Sequence, residues 1–408
     1  MILTMAEQFD SDLLTPEFFA DPYPFYHRLR GEAPVYWSER LQAWLLTRYA
    51  EVKPALNDPR LNSGDRISAI MRRLPKTVQL EMQPLHRHMT KMMSFTDPPD
   101  HTRLRTLVGQ AFTPRTVANL RPKIQMIVDD LLDAVENNGQ MDLVHDFAFH
   151  LPAIVICEML GIPKQDRETF KQWSNNIVGF VSAGEVTPEK AERAQQSVWS
   201  LTNYFHDLAE ERRQCPQVDL ISALVAAKEQ GDKLTEEELL SMGVLLFFAG
   251  FETTEGLIGN GLLALMRNPV QLQRLRDNPS LIATAVEEFL RYDNSVQRQS
   301  RVASEDLEMG GQQIRQGQYV ILFIGAANRD PAQFADPDRL DISRQENRHI
   351  AFGYGIHFCV GAPLARLEGQ IAISIILRRM PHLQLASETL EWERLLALRK
   401  LKSLPVSF

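Results

Sequence analysis

The sequence predicts a mainly α protein with minor β sheets, organised around one long central helix. Three observations carry this. Apolar residues recur at helical spacing through most of the chain. Strand-type runs are few and short. One helical pattern, opening at Thr235 and continuing to Met266, is far longer than the rest. Its roughly 32 residues would span about 48 Å, the width of a whole domain. A helix that long and that apolar in its middle is a central buried element.

The elements follow in order. Pro34 to Trp37 and Ala43 to Thr47 read as strands. Helical periodicity covers Leu120 to Asn137, and a second helix opens near Leu151 and stops at Gly161-Ile162-Pro163. A third covers Gln195 to Gln214. Thr235 and Glu238 form a T-x-x-E capping box, each side chain able to bond the other's backbone N–H. From Arg301 to Phe323, β-type runs are separated by Gly310-Gly311 and Gly317.

Composition bounds the function. The chain has 408 residues, 44% hydrophobic and 24% charged, which excludes disordered and fibrous classes. Length alone allows two or three domains, yet no repeat or Gly/Ser-rich linker divides the chain. A net charge of −8 argues against nucleic acid as a partner. Three cysteines (157, 215 and 359) are too few for a disulfide framework or a four-cysteine zinc site. The start MILTMAEQFDSD has no signal-peptide pattern, and the longest apolar run, Gly243 to Phe251, is too short to span a bilayer. These features point to a cytoplasmic protein with reduced thiols and no membrane anchor.

The stretch Ala351 to Glu368 reads AFGYGIHFCVGAPLARLE. Glycines 353, 355 and 361 surround Cys359, and a helix begins near Ala362. Glycine suits a backbone that turns sharply or approaches a flat ligand. A thiolate just before a helix start is favoured by the positive end of the helix dipole. The pattern suits a metal-ligating thiolate, although a lone cysteine is more often an inert buried one in a turn. FGYGIHFCVG resembles the haem-binding loop of the cytochrome P450 family at Phe352, Gly353, Gly355, His357, Cys359 and Gly361. The resemblance implies a cytochrome P450 fold with the long helix over the haem, a single haem domain over residues 1–408, haem b as cofactor, and Cys359 as its axial ligand.

Three further segments match in the family's order. The first is AGFETT, Ala249 to Thr254, inside the long helix. An acid beside an alcohol in an apolar helix centre is costly unless partnered, and Thr253 can bond back to the carbonyl of Ala249. By resemblance Ala249 and Gly250 border the haem, Thr253 holds the hydrogen-bond network for oxygen activation, and Glu252 helps deliver protons. The second is the E-x-x-R of Glu288 and Arg291, completed by an arginine of FADPDRLDISR, either Arg344 or its competitor Arg339. The third is DPPDHTRLR, which places His101 and Arg105 on one helix face. By resemblance His101, Arg105, Arg301 and His357 bind the haem propionates.

The resemblance implies a haem-thiolate monooxygenase that uses O₂ and two electrons to hydroxylate or epoxidise an apolar molecule: a polyketide or macrolide intermediate, a terpenoid, a steroid or a fatty acyl chain. The alternatives are a peroxide-driven fatty-acid peroxygenase or decarboxylase, which the Glu252-Thr253 pair disfavours, and a non-catalytic haem sensor. Ferredoxin and ferredoxin reductase would supply electrons to a monomer, with Arg103, Arg115 and Arg366 as docking contacts. Expected substrate contacts are Met92, Met93, Ile177, Val178, Met242, Leu245, Leu246, Ala249, Ser295 and Val296. The segment from Asn62 to Phe95 corresponds to the family's variable loop, with His86 and His88 in an irregular exposed region. It is basic (Arg66, Arg72, Arg73, Lys76, Arg87, Lys91), which suits a carboxylate substrate or an acyl carrier protein.

Overall fold

The computed structural model describes residues 5–229 and 234–408; Met1 to Thr4, the head of the start MILTMAEQFDSD read above, lie outside the described residues. The chain forms two compact units, each assembled from separate stretches. One contains the chain up to Leu61, Val117–Pro152 and Glu252–Phe408; the other contains Asn62–Thr116 and Ala153–Phe251. The predicted long helix is observed as Glu236–Met266. Its capping box forms as the sequence requires: Thr235 Oγ1 accepts from the Glu238 N–H at 3.2 Å, and a Glu238 carboxylate oxygen accepts from the Thr235 N–H at 2.8 Å. Leu143–Leu160 and Glu236–Met266 are both long and apolar enough to cross a membrane, but 72% and 83% of their apolar windows are buried, as in core helices.

In the first unit the predicted strands become a five-stranded sheet. Its order is Val35–Ser38, Ala43–Leu46, Tyr319–Phe323, Arg298–Ala303, Leu61–Asn62. Val35↔Leu46 and Arg298↔Phe323 pair antiparallel, and Ala43↔Tyr319 parallel. Tyr319–Phe323 is buried at every position because it is a central strand, covered on both faces. Leu307–Met309 and Gln312–Ile314 form a hairpin whose turn residues, Gly310 and Gly311, have φ of 56° and 76°. A two-residue turn with both φ positive is the form that glycine pairs favour.

This unit also buries the E-x-x-R pair. Glu288 and Arg291 are both fully buried, on the helix Ile282–Tyr292, with guanidinium–carboxylate contacts of 2.8 and 2.9 Å. Arg344 completes the network with its Nε 3.2 Å from Glu288, so the open choice resolves in its favour. The Arg339 side chain is 65% exposed and pairs with Asp341; only its backbone carbonyl meets Arg291. Asn347 and the Asp341 N–H fill the remaining lone pairs of Glu288.

In the second unit the helices Arg167–Val181 and Pro188–Gln214 pack together. Phe170 lies edge-on to Tyr204 and Phe247, at 4.7 and 4.9 Å between centroids. The helix His150–Leu160 ends at Gly161, whose φ of 75° and the Ile162 N–H to Cys157 carbonyl bond make a left-handed cap. The segment expected to be a loop from Asn62 to Phe95 is instead three short helices, Arg66–Met71, Lys76–Glu81 and Gln83–Met89. Leu85, Met89 and Met92 are buried core. The two histidines read as exposed are not: His86 bonds the Ser68 hydroxyl at 2.8 Å, and burial pushes His88 down to about 4.

Two outcomes test these assignments. Glu288→Ala strands Arg291 and Arg344 and should cost about 3–5 kcal/mol. Arg344→Ala should lower the melting temperature, while Arg339→Ala leaves it within a degree or so. In the second unit, Arg103 binds Glu238 and holds its carboxyl down at about 2. A depressed carboxyl contributes stability that is complete above about pH 4.5 and lost as pH falls toward the folded value. Arg103→Gln should therefore destabilise in urea titrations at pH 7, with the gap from the parent narrowing below pH 4.5.

Candidate active site

The cysteine loop is shaped by its glycines. Gly353 and Gly355 have φ of 77° and 75°. A Cβ on Gly355 would also lie 1.9 Å from Asn57 Oδ1, so conformation and space both exclude a side chain there. The Cys359 N–H donates to the Phe352 carbonyl at 2.9 Å, and the Phe358 N–H to Gly355 at 3.1 Å. The helix Ala362–Arg379 starts three residues after Cys359. Cys359 is exposed, together with Tyr354, Ile356 and Phe358 at 44%, 45% and 38%. An accessible soft donor set among exposed apolar side chains fits an apolar macrocycle carrying a thiolate-ligated metal.

Side chains behind the loop hold it in place. Arg366, from the helix after the cysteine, binds Glu287 through two bonds of 2.6 and 2.8 Å. His349 Nε2 reaches the same carboxylate at 3.0 Å. Burial raises the Glu287 carboxyl, but bonds from Arg366 and His349 overcome it and hold the group at about 2. The Arg366 guanidinium also lies 4.6 Å over the Phe352 ring. Arg366 thus positions Phe352, and Arg103 binds Glu238 and Asp100, while both side chains stay about one-third exposed, at 32% and 35%. Arg115 is exposed.

On the long helix, every residue from Glu238 to Leu265 is buried except Ala249, Gly250 and Thr253. These three share one face, at i, i+1 and i+4. Ala249 is exposed and the other two are half-buried, so a narrow accessible window opens in an apolar helix. Gly250 has a packing role as well, since a Cβ there would lie 2.8 Å from the Ile156 side chain. Beside the window, Glu252 is buried at 1% exposure. Lys400 binds it, and also binds Glu255 at 3.0 Å. Ser295, expected to face substrate, donates its hydroxyl to the Thr253 carbonyl at 2.7 Å. Val296 bridges to Leu398. Glu368 is buried next to Thr254; burial pushes its carboxyl up to about 8 while the Thr254 hydroxyl pulls it down.

Arg301 is 3% exposed and donates to the carbonyls of Ser300 and Leu56, at 2.8 and 3.3 Å. His357 is half-buried on the turn Gly355–His357. In the other unit, His101 is buried and Arg105 half-buried, one turn apart on the helix Asp100–Ala111. Arg105 forms no ion pair among the described residues. Met92, Met93, Ile177, Val178, Met242, Leu245 and Leu246 are all buried. Leu246 borders an apolar cavity of about 100 Å³ with Leu107 and Leu224. Sequence reading missed Lys400, Glu255, Glu287 and Glu368 as parts of the site. For Lys400 the available signal was a buried acid in need of a cation.

Comparison with known proteins gives one answer. The cytochrome P450 family model matches residues 69–389. The biotin biosynthesis cytochrome P450 of Bacillus subtilis (strain 168) is 42% identical over 400 residues, covering 98% of this chain and 99% of that protein. The 6-deoxyerythronolide B hydroxylase of Saccharopolyspora erythraea is 40% identical over 407 residues, covering 97% and 98%. The crystal structure of P450BioI in complex with hexadec-9Z-enoic acid ligated acyl carrier protein superposes with a TM-score of 0.90 at 42% identity, covering 96% of this chain and 99% of that one. The glycine-shaped Cys359 loop, the buried Glu288–Arg291–Arg344 network and the small-residue window of the long helix lie in a chain that belongs to the cytochrome P450 family, a haem-iron monooxygenase.

Proposed function

We propose that the chain inserts one atom of O₂ into a C–H or C=C bond of an apolar substrate, with haem b held by Cys359 in one domain over residues 1–408. The observation that carries this is the window of Ala249, Gly250 and Thr253 beside the buried acid Glu252. When bound, the haem supplies oxygen activation, assisted by the electron density of its thiolate ligand. The chain's residues do the rest. Thr253 presents a hydroxyl at the accessible face, and Glu252 moves protons toward it. Phe352 shields the thiolate side of the loop, where Arg366 and Glu287 fix its ring. Arg301 and His357, and separately His101 with Arg105, take the propionate charges. Electrons come from a ferredoxin and its reductase in the cytoplasm.

A long acyl chain is the favoured substrate. The exposed Arg72, Lys76 and Arg87 lie on and beside the short helices of the second unit, a basic segment that suits an acidic carrier protein. The acyl carrier protein complex of a 42%-identical relative supports the same reading.

Two measurements test it. In ¹⁸O₂, turnover with ferredoxin, reductase and NADPH should place the label in the product and exceed peroxide-driven turnover; equal rates with peroxide would favour a peroxygenase. Reversing charge at Arg72 and Arg73 should weaken binding of a carrier-linked acyl chain several-fold and leave the free fatty acid unaffected. Unchanged carrier binding would remove that segment from the account.

A further inference from the structure

Lys400 is the unexpected member of the site. It is 8% exposed, and its ammonium touches the carboxylates of both Glu252 and Glu255. These two acids are three residues apart, side by side on the long helix. Burial lowers the lysine's proton affinity, but the two carboxylates outweigh it and hold Lys400 protonated. The other nearby cation, Arg399, is turned away to Asp293 at 2.8 Å and stacks on Trp392 at 3.5 Å. Glu252 and Glu255 are therefore the charged groups that face Lys400.

The backbone that carries Lys400 is fixed to the same helix. Asn260 donates to the Arg399 carbonyl at 3.0 Å, and the Arg399 N–H donates to the Ser295 carbonyl at 2.7 Å. Gly256 lets this backbone approach, since a Cβ there would lie 2.5 Å from Ser295 Cβ and 3.3 Å from the Arg399 carbonyl oxygen. One short stretch of chain thus supports Ser295, which holds the Thr253 carbonyl, and Lys400, which holds Glu252. Only one Glu252 oxygen is used: Oε2 meets Lys400, while Oε1 is buried without a hydrogen-bond partner among the described residues.

Resting on the oxygen-activating role given to Glu252 above, we propose that Lys400 is a positioning residue that clamps Glu252 by one oxygen and gates its proton delivery, with Glu255 as the second acceptor. A carboxylate pinned to an ammonium carries protons poorly, so delivery requires the clamp to open. A buried ammonium released from its only partner would pay a large desolvation cost. Glu255 removes that cost by retaining Lys400 while Glu252 swings toward Thr253. Two acceptors on one cation make the release reversible.

The test is the haem-loaded enzyme with Lys400→Gln, Lys400→Arg and Glu255→Gln. In Lys400→Gln, two buried carboxylates face each other with no cation between them, and like charges that close share a proton. A protonated-carboxyl infrared band additional to that of Glu368 should appear at neutral pH and vanish in Lys400→Gln/Glu252→Gln. The share of electrons lost as hydrogen peroxide should rise several-fold, and Lys400→Arg should restore both signals toward the parent. Glu255→Gln keeps the clamp but removes the relay, so turnover should fall without the new band. If the parent couples electrons to product and Lys400→Gln shows neither the band nor altered peroxide release, the gate is wrong. If the parent itself yields only peroxide, the fault lies in the oxygen-activating role of Glu252. Should Lys400→Gln fail to fold, unchanged turnover in Glu255→Gln would equally overturn the gate.

Discussion

The structure of the first unit depends on one constraint: the carboxylate of Glu288 has no exposed surface, so every lone pair must be met from within. Arg291 and Arg344 neutralise it, and Asn347 and the Asp341 N–H complete its shell. Apart from Arg291, which shares its helix, the partners come from the segment leading toward the cysteine loop. Satisfying one acid therefore fixes the path of that segment. Glu287, the preceding residue, does the same for the loop itself through Arg366, His349 and, through Arg366, the ring of Phe352. Two consecutive glutamates on one helix set the geometry of the thiol donor.

The long helix shows the opposite solution. It is buried almost throughout, and the accessible positions between Glu238 and Leu265 are an alanine, a glycine and a threonine. Small side chains leave room for a ligand. The adjacent acid carries the cost of burial, and a lysine 148 residues later offsets it. On this helix, buried charge is met by a partner of opposite sign that backbone contacts hold in place.

Much of this was legible in the sequence. The capping box at Thr235 located the start of the long helix because its two bonds are local. The cysteine loop was legible because glycine positions report backbone shape directly. Arg344 against Arg339 was not decidable from spacing, since both lie in one irregular segment and only the fold shows which side chain turns inward. The short helices before Phe95 were hidden for another reason: six or seven residues give too little periodicity to register. The Lys400 contacts were hidden by sequence distance, and Ser295 by its role as a donor to a backbone carbonyl, which leaves no pattern in side-chain types.

The central claim is that this scaffold exists to present Cys359 as a thiolate ligand to haem iron. The most direct measurement is the carbon monoxide difference spectrum of the reduced, haem-loaded protein, alongside Cys359→Ala prepared identically. The account predicts the red-shifted Soret band of thiolate ligation in the parent and its loss in the variant. Absence of that band in the parent, or its survival without Cys359, would contradict it.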